Sequence, residues 1–130
     1  MKLRHVALVY GSAEDADRFM VGVLGLAKGE PRPLPAELAR AVFGLDHGLE
    51  MVNYMGDGLL FEVFIGPRSP ESTSPIRHVC LEVDDAATFL ERCERARAEI
   101  RRIPRGDSVL VFLRDTGGNL FEIKEKKPGV

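Results

Sequence analysis

A chain of 130 residues is enough for one domain or two very small fused modules, because domains typically run to about 100–150 residues and each half alone would bury little surface. With 45 % hydrophobic and 29 % charged residues it is neither disordered nor fibrous, and a formal net charge of −2 gives no general electrostatic basis for binding nucleic acid. The N-terminus enters a strand pattern at once, without the apolar run of a signal peptide or membrane span, so a cytoplasmic protein with no membrane partner is expected.

Residues 3 to 10 alternate, with Val6, Leu8 and Tyr10 on one face and His5, Ala7 and Val9 on the other, which predicts a strand with one buried face. Ser12 and Asp15 have the spacing of a helix N-terminal cap. Phe19, Met20, Val23 and Leu24 continue it with helical periodicity until Gly25. After the proline-bearing stretch from Glu30 to Pro35, short strands are expected at Ala41 to Phe43, Met51 to Met55 and Leu59 to Ile65. They are separated by turns at Asp46-His47-Gly48 and Gly56-Asp57-Gly58. Pro35 to Val42 has an alternative reading as the opening of a helical turn.

A Pro- and Ser-rich connector at residues 67 to 75 separates a first module, 1 to 66, from a second, 76 to 130. The second repeats the plan. Arg77 to Val83 reads as a strand, Asp84-Asp85 as a cap, and Ala86 to Ala98 as a helix with Phe89, Leu90 and Cys93 inward. Strands follow near Ile100 to Ile103, Val109 to Leu113 and Leu120 to Lys124. Arg92, Arg95, Arg97, Arg101, Arg102 and Arg105 are interleaved with Glu91, Glu94 and Glu99 and read as a solvated face rather than a polyanion site. Cys80 and Cys93 lack metal-type spacing and read as reduced packing cysteines.

Two phrases occur once in each half. Arg-His-Val-x-Leu stands at 4 to 8 and 77 to 81, and Leu-Phe-Glu-Val/Ile at 60 to 63 and 120 to 123, so His5, Glu62, His78 and Glu122 occupy equivalent points. Strand alternation turns all four away from the apolar sets Val6/Leu8, Val79/Leu81, Phe61/Val63 and Phe121/Ile123 that pack on the helices. Two imidazoles and two carboxylates form a ligand set suited to a divalent metal, and hardness alone leaves Zn, Ni, Co, Mn or Fe open. His47, in a turn with no counterpart in the other half, is set aside.

These residues resemble the vicinal oxygen chelate superfamily, which includes glyoxalase I, methylmalonyl-CoA epimerase, extradiol dioxygenases, fosfomycin-inactivating thiol transferases and bleomycin-resistance proteins. The resemblance spans nearly the whole chain. It is clearest in Ile76-Arg77-His78-Val79-Cys80-Leu81-Glu82-Val83-Asp84-Asp85 and in Asp115-Thr116-Gly117-Gly118-Asn119-Leu120-Phe121-Glu122-Ile123. It implies an α+β fold in which two βαβββ modules form a curved mixed sheet around a cup, with helices on the outer face. It also implies His5, Glu62, His78 and Glu122 as ligands of one divalent metal, a pattern closest to glyoxalase I and the epimerases.

The activity so implied is that of a metal-dependent lyase or isomerase, moving a proton next to a carbonyl on a small oxygenated substrate. Glu122 is the first choice for the base and Glu62 the second. Arg114, Lys124 and Cys80 are candidate substrate contacts. The glutathione-gripping Arg and Asn of glyoxalase I correspond to Val9 and Gly66 here, and the epimerases' His-Pro-Lys phrase to Phe112-Leu113-Arg114-Asp115, so the resemblance does not extend to substrate. The alternatives are an epimerase-like enzyme or a non-catalytic module that sequesters a small ligand. Short members often pair, so a homodimer is expected, with the site built within one chain or across two.

Overall fold

A computed structural model describes residues 1–67 and 75–128. The chain divides into two compact units, Met1–Arg68 and Ser69–Val130, each with its own mixed sheet, and the fold is α+β. The connector expected at 67 to 75 falls almost wholly outside the described residues. Among the described residues no helix is long and apolar enough to cross a membrane.

The second unit is a plain βαβββ module: β6 (Val79–Val83), α3 (Ala86–Arg95), β7 (Glu99–Arg105), β8 (Ser108–Arg114) and β9 (Leu120–Glu125), in sheet order β6-β9-β8-β7. β6 runs parallel to β9, and the other pairs are antiparallel. Leu81, Leu113, Phe121 and Ile123 are buried on one face with Phe89, Leu90 and Cys93 of α3. Removing a side chain such as Phe121, 0 % exposed, would cost about 3–5 kcal/mol. Asp85 caps α3 by accepting from the Thr88 amide at 3.0 Å, and Glu125 Oε2 accepts from the Ala86 amide at 2.8 Å, tying the end of β9 to the helix start.

The first unit comprises β1 (Val6–Tyr10), α1 (Ala13–Met20), β2 (Ala27–Lys28), β3 (Arg32–Leu34), α2 (Ala36–Phe43), β4 (Leu49–Gly56) and β5 (Leu59–Ile65). The sheet order is β1-β5-β4-β2, and β3 also pairs with β4. The second strand of the module is thus split into two short pieces along one neighbour, with Pro33 opposite Glu50 on the outer strand, where a missing amide donor is tolerated. Ser12 caps α1 through the Asp15 amide at 3.2 Å. The β4–β5 hairpin turns on Asp57 and Gly58, both at positive φ, as a two-residue Asp-Gly turn requires. Tyr10, Val52, Tyr54, Phe61 and Val63 are buried with Ala16, Phe19 and Met20 of α1.

Two expectations are corrected. Ala41 to Phe43 form the last turn of α2 instead of a strand: Ala-Glu-Leu-Ala-Arg-Ala favours helix after Pro35, and Gly44, left-handed at φ 70°, stops it. This helix covers Phe64, whose ring meets Phe43 edge-on at 5.4 Å, in a cluster with Leu34 and Ala39. By alternation Phe64 shares its face with Glu62, so α2 adds apolar cover on the side of the sheet opposite the Phe61/Val63 core. The second correction concerns the opening strands, which begin at Val6 and Val79, leaving His5 and His78 one residue before them.

Candidate metal centre

Each unit pairs one histidine with one glutamate. In the first, parallel pairing puts Ala7 opposite Glu62 and Val6 opposite Phe61, so His5, just before β1, reaches along the sheet to Glu62. His5 Nε2 lies 3.7 Å from Glu62 Oε1. In the second, Cys80 stands opposite Glu122 and Val79 opposite Phe121, and His78 Nε2 lies 3.4 Å from Glu122 Oε2. The same placement arises twice because the same phrases fold into the same strand pair. Glu62 and Glu122 are held back from water, with side chains 24 % and 16 % exposed, while the strand residues flanking them fill the cores.

The His78 ring is held at two points. Its Nδ1 lies 2.8 Å from the Ile76 carbonyl oxygen. A carbonyl only accepts, so Nδ1 carries a hydrogen and donates it, and in the neutral ring the Nε2 lone pair faces the carboxylate. The Phe112 ring meets the imidazole edge-on at 5.3 Å. Two lone-pair donors facing each other need a cation or a proton between them. At 3.4 Å they are beyond an ordinary hydrogen bond, yet close to the separation of about 3.0–3.5 Å that donors at about 2.0–2.2 Å from a shared ion would have. The imidazole and carboxylate donors therefore fit a borderline divalent ion. Among the described residues no three His, Cys, Asp or Glu side chains gather into a group able to hold one, so neither pair completes a site within its own unit.

The candidate substrate contacts divide. Cys80 is the cross-strand partner of Glu122, and burial, then the Glu122 charge, pushes its thiol up, which keeps it protonated and unsuited to nucleophilic work. Lys124 Nζ lies 3.9 Å from Glu122 Oε1 on an exposed side chain. Arg114 donates from Nη1 to the Gly118 carbonyl at 2.8 Å, bracing the Asp115–Asn119 turn that leads into β9. In that turn Asp115 Oδ1 accepts from the Asn119 amide at 2.8 Å. Cys93 is buried, its thiol pushed up to about 12. His47 Nδ1 lies 3.1 Å from the Gly48 carbonyl oxygen.

Sequence reading missed three residues near the pairs. Phe112 orients His78. Asn53, directly opposite Glu62, has a buried Oδ1 without a hydrogen-bond partner. Arg101 stands opposite Phe112 on the Glu122 face. Register is the signal that finds them, and it depends on hairpin pairings that one strand's alternation does not give.

Comparison with known proteins agrees with this architecture. The chain is 29 % identical over 133 residues to mitochondrial methylmalonyl-CoA epimerase of Bos taurus, covering 95 % of this chain and 74 % of that protein. Among solved structures it superposes on the fosfomycin resistance protein FosX of Mesorhizobium loti with a TM-score of 0.70 at 16 % identity, covering 98 % of this chain and 93 % of the other. A FosX variant from Listeria monocytogenes, complexed with Mn(II) and 1S,2S-dihydroxypropylphosphonic acid, also gives 0.70 at 15 % identity over 95 % and 88 %. A glyoxalase family protein from Bacillus cereus gives 0.71 at 20 % identity over 96 % and 93 %. Residues 2–123 match the family model of the glyoxalase/bleomycin resistance protein/dioxygenase superfamily, and the chain belongs to that superfamily.

Proposed function

We propose that this protein is a metal-dependent, glyoxalase-like lyase or isomerase that moves a proton next to a carbonyl of a small oxygenated substrate. His5, Glu62, His78 and Glu122 would together hold one divalent ion, from one chain or from two chains of a homodimer. The observation that carries the reading is the recurrence of one His–Glu pair in each unit, with N···O separations of 3.7 and 3.4 Å. Support comes from the similarity to methylmalonyl-CoA epimerase, since inverting a carbon flanked by carbonyls requires removing and returning its proton. The Mn(II) in the FosX complex supports a divalent ion in this fold.

The bound ion would supply Lewis acidity, polarising the substrate carbonyl and making the neighbouring C–H bond more acidic. The chain's own part is the proton. Glu122 has two unlike oxygens: Oε2 faces His78, and Oε1 faces the Lys124 ammonium. Oε1 takes the proton from carbon and returns it, while Oε2 and His78, the latter oriented by Ile76 and Phe112, would hold the ion. Glu62 is the second candidate for the same role.

The test is to incubate metal-loaded protein in heavy water with hemithioacetals, 2-oxo acids and acyl-CoA thioesters. Deuterium should enter next to the carbonyl in one class and be lost in Glu122→Gln. Tight binding of a ligand with no exchange, unaffected by changing all four ligands, would favour a sequestering module instead.

A further inference from the structure

On the Glu122 face of the second unit, cross-strand partners form a row over β6, β9, β8 and β7: Cys80, Glu122, Phe112 and Arg101. The adjoining row is Leu120, Arg114 and Glu99. Phe112, Leu120, Ile103, Arg101, Arg114 and Glu99 line a groove of about 240 Å³. That is smaller than the ~300–1,000 Å³ of drug-sized pockets and suits a short chain. Its floor is apolar, and Arg101 on β7 stands two strands away from Glu122. Arg114 is committed to the Gly118 carbonyl through Nη1. Arg101 meets Glu99 Oε1 at 3.4 Å, but these side chains are 75 % and 66 % exposed, so water screens the pair and it holds the guanidinium weakly.

We infer that this groove takes the tail of the substrate and that Arg101 selects a terminal anion, a carboxylate or a phosphate. This rests on the reading of Glu122 as the proton-transfer group. Glu122 and Arg101 are separated by two strand spacings, about 10 Å, with Phe112 between them. The substrate is then an acyl compound whose reacting carbon lies at Glu122, whose methylene chain lies on Phe112, and whose far end is negatively charged. A planar guanidinium offers paired donors that match either oxyanion.

The experiment is calorimetry on Mn(II)-loaded protein with 2-oxo acids of increasing length that end in a carboxylate, a phosphate or a neutral amide. Anionic ends should bind about two- to fivefold more tightly than the amide once the chain spans the groove, the scale of an ion pair on an exposed guanidinium. Arg101→Gln should abolish that advantage, and Arg101→Lys should keep part of it. Whether carboxylate or phosphate gains more identifies the natural end group. No advantage in the unaltered protein, or an advantage that survives Arg101→Gln, overturns the inference. Binding is read without turnover, so an Arg101-dependent preference with no heavy-water exchange would remove the proton-transfer reading while leaving the groove's selectivity standing. Exchange without any anion preference would do the reverse.

Discussion

His78 and Glu122 face each other at 3.4 Å through Nε2 and Oε2, while the other ring nitrogen is engaged on the Ile76 carbonyl at 2.8 Å. The Ile76 carbonyl and the Phe112 ring therefore set the imidazole's orientation before any ion arrives. Phe112→Ala should leave the strand pairing intact but free the imidazole to rotate. Affinity for a divalent ion is expected to fall about tenfold, the lower end of what outer partners of a metal ligand contribute, and titration with Mn(II) would measure it. Phe112→Leu should fall between the two.

In the first unit the helix is fastened to the sheet by a buried phenol. Tyr54, 0 % exposed, donates to Asp17 Oδ1 at 2.6 Å, and Lys28 Nζ meets the other oxygen at 2.9 Å. Burial alone would raise the Asp17 carboxyl, but the Tyr54 hydroxyl and the Lys28 ammonium outweigh it and hold it below its ordinary 3.8. A depressed carboxylate stabilises the fold above the unfolded pKa and loses that contribution as pH falls through the folded one. Burial, then Asp17, pushes the Tyr54 phenol well above its ordinary 10.0, so its share is full below pH 10 and declines as pH rises further. Tyr54→Phe should cost about 1 kcal/mol near neutrality, a modest value because Asp17 is 40 % exposed and water screens it. Urea unfolding should show the difference narrowing below pH 3.8 and above pH 10.

Asn53 gives a stability prediction of opposite sign. Its Oδ1 is buried without a hydrogen-bond partner, a cost that a strand-forming apolar residue of similar size avoids. Asn53→Val is expected to raise stability by about 1 kcal/mol in urea unfolding. A loss of similar size would mean that the amide has an interaction worth keeping.

Most of the fold is legible in the sequence where pattern and local chemistry agree. Ser12 and Asp85 cap the helices they were expected to cap, and the Asp57-Gly58 turn joins β4 to β5. The Phe61/Val63 and Phe121/Ile123 sets are buried. Ala41-Val42-Phe43 misleads because three apolar residues suit a strand or a helix end, and the helix-favouring run from Ala36 with the Gly44 stop decides for the helix, which the Phe43–Phe64 contact then packs. The His–Glu pairs are legible because duplicated phrases fold alike. Phe112, Asn53 and Arg101 are not, since each owes its place beside the pairs to the register of a hairpin, which alternation within one strand does not give.

The account's central claim is that His5, Glu62, His78 and Glu122 share one ion, and metal stoichiometry tests it most directly. Mn(II) should bind at one ion per chain, and His5→Ala, Glu62→Ala, His78→Ala and Glu122→Ala should each weaken it at least about tenfold while circular dichroism stays unchanged. No bound ion, two ions per chain with each depending on only one His–Glu pair, or binding that survives the loss of either pair would contradict it.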